Sequence, residues 1–225
     1  MKTAGTALRQ NIRAQFDEQE LYPSRSYDED MFHAHTSIQY LLDTATERRA
    51  RIRAYMGHFP YVATQLLRQP LVTLTVLRHP VDRAVSHLKH LNSYSPEYRE
   101  WSLEQIYDDP ILHPCFLRNH QAKIFAFTEA DAPTSYVDVL NIDDSRLAVA
   151  KDNLDQVDLI GFVECYDDFL ERLETRFGWN LDKSKRRRVG PAGDVPKELR
   201  RRIEADHVAD LDFYEYACRT HSPGT

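Results

Sequence analysis

Three groups of residues in this chain have the types and spacing for chemistry on an anion. The first is Arg78 and Ser86, within Leu74-Thr75-Val76-Leu77-Arg78-His79-Pro80-Val81-Asp82-Arg83-Ala84-Val85-Ser86-His87. An apolar, β-branched run of strand length stops at the arginine. The serine follows eight residues later, two turns into a helix, so the guanidinium and the hydroxyl are spaced to grip one anion together. Ligands of open α/β sheets bind at such carboxyl ends of strands. The second group is Lys2-Thr3-Ala4-Gly5-Thr6, directly before a helical pattern through Ile12 and Phe16. Here Gly5 allows a tight turn, the following helix offers free backbone N–H groups, and Lys2 supplies a mobile positive charge. It is not a Walker A loop, since Gly-x-x-x-x-Gly-Lys is absent. The third is Gly57-His58, ahead of Phe59-Pro60-Tyr61. An imidazole with the ordinary pKa of about 6.5 accepts a hydroxyl proton at neutral pH. The structural alternative is a ring packed against Phe59 and Tyr61.

Taken in order, these three groups resemble the motifs of sulfotransferases that use 3′-phosphoadenosine 5′-phosphosulfate (PAPS). Leu77-Arg78-His79-Pro80-Val81-Asp82-Arg83-Ala84-Val85-Ser86-His87 is similar to the family's 3′-phosphate motif, which implies that Arg78 and Ser86 hold that phosphate. Lys2-Thr3-Ala4-Gly5-Thr6 resembles the 5′-phosphosulfate loop. Gly57-His58 resembles the element that glycan-type members place beside the sulfuryl group, which makes His58 the implied general base and Lys2 the charge that meets the departing phosphate oxygen. Asn119-His120-Gln121-Ala122-Lys123 partly matches the family's Asn-x-Gln-Thr-Arg element, which makes it either a wall of the acceptor or cofactor cleft or ordinary helix surface. Gly161-Phe162-Val163-Glu164 ends the strand of a strand–helix unit that resembles the family's; Glu164 is given a structural role. The resemblance runs from Lys2 to about Tyr216. It implies PAPS as co-substrate, no metal, and a hydroxyl-bearing glycan or small metabolite as acceptor. In the family a buried strand precedes the phosphosulfate loop. Here the sequence starts at the loop, so either the start lies upstream or the sheet lacks that strand.

These groups need elements to position them. Strands are expected near 52–56, 71–77 and 157–163, alternating with helices, which describes an α/β chain with a parallel sheet flanked by helices. The resemblance makes this a P-loop-like three-layer fold in one domain, residues 1–225, with its first strand missing or truncated. Asp82 is the expected cap of the helix after Arg78. Ser102-Leu103-Glu104-Gln105 reads as a capping box. Helices are also expected over 38–53, 113–127, 143–153, 166–177 and 195–217, while 17–37 reads as irregular. The basic run 183–188 is either a solvated loop or one that closes over the nucleotide's phosphates. On the second reading Arg186 touches the nucleotide, and Arg187 and Arg188 are not distinguished. The run 47–51 reads as a solvated charged face, and His33-Ala34-His35 as edge histidines rather than metal ligands, because no carboxylate or cysteine completes a set.

Composition narrows the classes. A net charge of −6 argues against a general nucleic-acid binder, whose affinity rests on phosphate neutralisation. No apolar run approaches the roughly 20 residues of a membrane span. Three scattered cysteines, Cys115, Cys165 and Cys218, read as reduced thiols of a cytoplasmic protein. Two rivals remain: a truncated or non-catalytic nucleotide-binding homologue, and, disfavoured by the missing Walker pattern, a P-loop kinase.

Overall fold

The computed structural model describes residues 3–48, 50–132, 134–184 and 195–221. Lys2 and Arg186 lie outside the described residues. The chain is α/β. In order it forms α1 (Gly5–Arg13), β1 (Leu21–Tyr22), α2 (Met31–Thr36), α3 (Ile38–Arg48), β2 (Ala54–Tyr55), α4 (Val62–Leu66) and β3 (Leu74–Leu77). Then come α5 (Pro80–Tyr94), α6 (Leu103–Tyr107), α7 (His120–Ala126), α8 (Asp144–Asp155), β4 (Leu159–Phe162), α9 (Tyr166–Phe177), α10 (Lys197–Asp206) and α11 (Val208–His221). No helix among the described residues is long and apolar enough to cross a membrane.

The strands are parallel, as expected, but they do not form one central sheet. Among the described residues β1 pairs with β2, Leu21 opposite Ala54, and β3 pairs with β4, Leu74 opposite Leu159 through Leu77 opposite Phe162. Strands of two residues carry a ladder only one step. Side chains join the two pairs instead: Ile12, Leu21 and Met56 form a cluster with Ala54 and Leu74 packed on it. β4 is buried along its length, and it runs so close to α9 that a Cβ on Gly161 would lie 2.4 Å from the Phe169 ring. Glycine is required there by the packing distance alone.

Several local expectations need correction. The helix expected over 113–127 breaks, because Asn119 takes a left-handed conformation (φ 45°) between a π-helical turn at His113–Leu117 and α7. Asparagine tolerates that region better than most residues. The final helix divides at His207, whose ring bonds the carbonyls of Ile203 and Leu117 (2.7 and 2.8 Å). Residues 17–37 contain β1 and α2. Within the supposedly solvated run 47–51, Arg48 turns inward: it pairs with the buried Asp28 (3.1 Å), donates to the Leu21 carbonyl (2.8 Å) and lies 4.5 Å from the Tyr27 ring centre. The Ser102–Gln105 capping box forms as read.

Candidate functional site

The sheet ladder of β3 ends at Leu77, and Arg78 follows at its carboxyl end. α5 starts at Pro80, with His79 as its N-cap. Proline suits the first helical position, where its missing N–H would have had no partner. Asp82 is therefore not the cap; it sits in the first turn, where its charge complements the helix dipole, and it accepts a bond from Arg200 (2.9 Å). Val81, Ala84, Val85 and Leu88 bury one face of α5 against Ile106, Leu199 and Ile203, which fixes the azimuth of Ser86, half-buried on the second turn. Arg83 is fully buried, donating to the Phe116 and Leu117 carbonyls; it holds structure rather than a ligand.

The backbone at Arg78 is held by side chains from elsewhere. Gln121 of α7 accepts from Arg78 N–H (3.0 Å) and donates to Arg78 C=O (2.8 Å). Next to it, His79 N–H donates to Glu164 (3.2 Å), whose other oxygen accepts from the Tyr214 hydroxyl (3.0 Å).

The N-terminal loop differs from its expected form. The left-handed residue is Ala4 (φ 58°), while Gly5 is the first residue of α1. A Cβ on Gly5 would meet nothing within 4 Å, so the protein's own packing does not demand glycine there. Ala4 accepts a left-handed backbone that disfavours a side chain by about 1–2 kcal/mol. Ala4 and Leu8 pack on the cluster containing Val76 and Phe169, which brings Thr3, Ala4, Gly5 and Thr6 onto the same strand pair as Arg78. The N-cap residue Ala4 has no side chain that can cap α1, which leaves first-turn N–H groups suited to an anion.

α1 also reaches the third group. Arg9 bonds His35 (2.9 Å), and the His35 carbonyl accepts from His58 N–H (2.7 Å). Any side chain at Gly57 would strike the Phe59 ring (2.2 Å). The His58 ring lies not on Phe59 or Tyr61 but on Tyr136 (centres 5.5 Å apart), and Tyr136 in turn meets Phe116 (5.6 Å) and His120 (6.2 Å). His58 itself stays exposed to solvent, with Tyr136 against its ring. Desolvation of the ring, with positive charges nearby such as Arg9, lowers its pKa below the ordinary value, an effect that its solvent exposure moderates. The expected value near 6.5 is thus corrected. The imidazole is neutral at pH 7, the state a base requires, but it is a weaker base than an ordinary histidine.

Behind Tyr136, His120 is also held neutral, by burial first and by cations including Arg83 and Lys123; its Nδ1 has no hydrogen-bond partner among the described residues. Lys123 is buried too, donating to the Cys115 and Asp138 carbonyls (2.7 and 2.8 Å), and burial lowers it to about 8. His33 pairs with Asp30 and His35 with Arg9, and no group of three or more metal-type ligands occurs among the described residues.

Sequence reasoning missed Tyr136, His120 and the grip of Gln121. Gln121 had a signal, the partial Asn-x-Gln element; Tyr136 had none, because it is brought to His58 by tertiary folding alone. No family model matches the chain, and no curated protein matches it.

Proposed function

We propose that this protein is a sulfotransferase moving a sulfuryl group from PAPS to a hydroxyl of a carbohydrate or small metabolite. The observation that carries this reading is convergence: the Arg78–Ser86 crossing, the start of α1 and the His58 loop are linked through α1 by packing and hydrogen bonds. Arg78 and Ser86 take the 3′-phosphate. The backbone from Thr3 to Thr6 and the first turn of α1 take the 5′-phosphate. His58 receives the acceptor proton as the hydroxyl oxygen bonds to sulfur; the bond from sulfur to the phosphate oxygen breaks, and 3′-phosphoadenosine 5′-phosphate leaves. Lys2 meets the charge growing on that phosphate oxygen, and Arg186 adds a contact to the nucleotide.

The low basicity of His58 tests this scheme. A sulfuryl donor brings negative charge beside the ring, which favours the protonated form and raises the imidazole again. Without that recovery the same observation favours a second reading, a nucleotide-binding homologue without turnover. Release of 3′-phosphoadenosine 5′-phosphate from PAPS, followed across a panel of glycans and hydroxyl-bearing metabolites, separates the two. His58→Ala should lower turnover by about 10²–10⁴-fold with nucleotide affinity preserved. Unchanged turnover would place the base elsewhere; nucleotide binding with no acceptor sulfated would favour the second reading.

A further inference from the structure

We infer that Gln121 is a positioning residue for Arg78 and sets how strongly the protein prefers nucleotides with a 3′-phosphate. The inference rests on the reading of Arg78 as the ligand of that phosphate. The β3–β4 register runs to Leu77 opposite Phe162, and Arg78 is the next residue along. A primary amide carries the same donor and acceptor as a peptide group, and Gln121, only 5% exposed, satisfies both the N–H and the C=O of Arg78. One side chain thereby extends the ladder by one residue and fixes the backbone from which the guanidinium departs.

The anchor of this grip lies on α11. Asp210, fully buried, accepts from Gln121 N–H (3.2 Å) and Ala122 N–H (2.7 Å), while its own N–H donates to Asn119 (3.1 Å). Asp210 therefore holds the start of α7 and, with it, the stem of Gln121. Tyr214 stands four residues along α11, on the same face, and holds Glu164 on the His79 N–H. Its ring also meets the His79 ring edge-on, centres 5.6 Å apart. One face of one helix thus secures both side chains that grip the 78–79 backbone. A loop ordered before the ligand arrives does not lose that conformational freedom on binding.

The test compares two nucleotides that differ at the 3′ position. Titrations of 3′-phosphoadenosine 5′-phosphate and of adenosine 5′-phosphate into the full chain are measured by calorimetry for wild type, Gln121→Met and Gln121→Asn. Methionine keeps the volume without the amide; asparagine keeps the amide one methylene too short to span both groups. The inference expects both variants to weaken 3′-phosphoadenosine 5′-phosphate by about tenfold and to leave adenosine 5′-phosphate unchanged, so that the preference falls. Equal losses for both nucleotides, or no loss, would overturn it, since a purely structural role does not discriminate by the 3′-phosphate. Amide hydrogen exchange at Arg78 gives a readout without nucleotide: exchange should quicken in both variants, and unchanged protection would remove the grip itself. If wild type shows no preference for the 3′-phosphate, the reading of Arg78 falls, and the inference with it.

Discussion

The two phosphate-binding candidates are built in opposite ways. At the end of β3, the backbone of Arg78 and His79 is fastened by Gln121 and Glu164, both backed by α11. At the start of α1, the N-cap residue Ala4 carries an unfavourable left-handed backbone with no capping side chain of its own, and packing of Ala4 and Leu8 does the holding. A specificity element that must recognise one phosphate geometry gains from being rigid before binding. A loop proposed to cradle a group about to change partners is served by the amides of a helix start and by room beside Gly5. On the proposed reading, discrimination and reaction would fall to different mechanical regimes.

The largest effect expected from that contrast is at Arg78. Arg78→Ala should weaken 3′-phosphoadenosine 5′-phosphate by about 10²-fold in calorimetry, the scale of a lost charge-assisted contact, while the melting temperature changes little. A comparable affinity would break the comparison at its rigid end. Packing comes next. Gly161→Ala forces a methyl into the Phe169 ring behind the strand pair and should lower stability by about 1–3 kcal/mol in urea unfolding, whereas Gly5→Ala, with open space around it, should be near neutral. Equal losses at the two glycines would remove the distinction between a packed support and an open loop.

The acid response reports on three histidines. His58, His120 and His207 all have lowered imidazole pKa values, burial being the first cause in each. As pH falls below the ordinary value of about 6.5, the unfolded chain takes up protons that the folded one refuses, so stability is complete above that pH and declines below it. Melting curves should show several degrees lost between pH 7.5 and pH 5, before the carboxylates titrate. A flat profile would mean that these rings are not held neutral by the fold. The smallest expected change is at the loop's strained residue. Ala4→Gly relieves the left-handed backbone but enlarges the freedom of the unfolded chain, for a net gain of at most about 1 kcal/mol. A loss of stability there would show that the Ala4 methyl, packed with Leu8, matters more than its backbone angle.

How much of this was legible in the sequence depended on whether local rules decided it. β4 fell inside its expected apolar run, α9 has the bounds read for it, and the Ser102 capping box formed, because hydrophobic runs and caps act over a few residues. The Arg78–Ser86 crossing was legible for the same reason. β1 was not: two residues carry no period, and Leu21-Tyr22 becomes a strand only when Ala54-Tyr55 lies beside it. Gly5 drew the turn by composition, yet Ala4 took it, since tertiary packing outweighed a cost of about 1–2 kcal/mol. The basicity of His58 was invisible for a similar reason: its desolvation comes from residues far away in sequence, Tyr136 among them. Asn11 repeats the device of Gln121, clasping both the N–H and the C=O of Asp182 (3.0 and 3.3 Å) across 171 positions. Such amide grips are long-range by nature, and spacing cannot announce them.

The central claim, that Arg78 marks a site for a nucleotide 3′-phosphate, is tested most directly by titrating 3′-phosphoadenosine 5′-phosphate into the purified chain, with ATP as the competitor. The account predicts one site with a dissociation constant of about 1 μM or tighter, undisturbed by excess ATP. No heat of binding, or displacement by ATP at equal concentration, would contradict it.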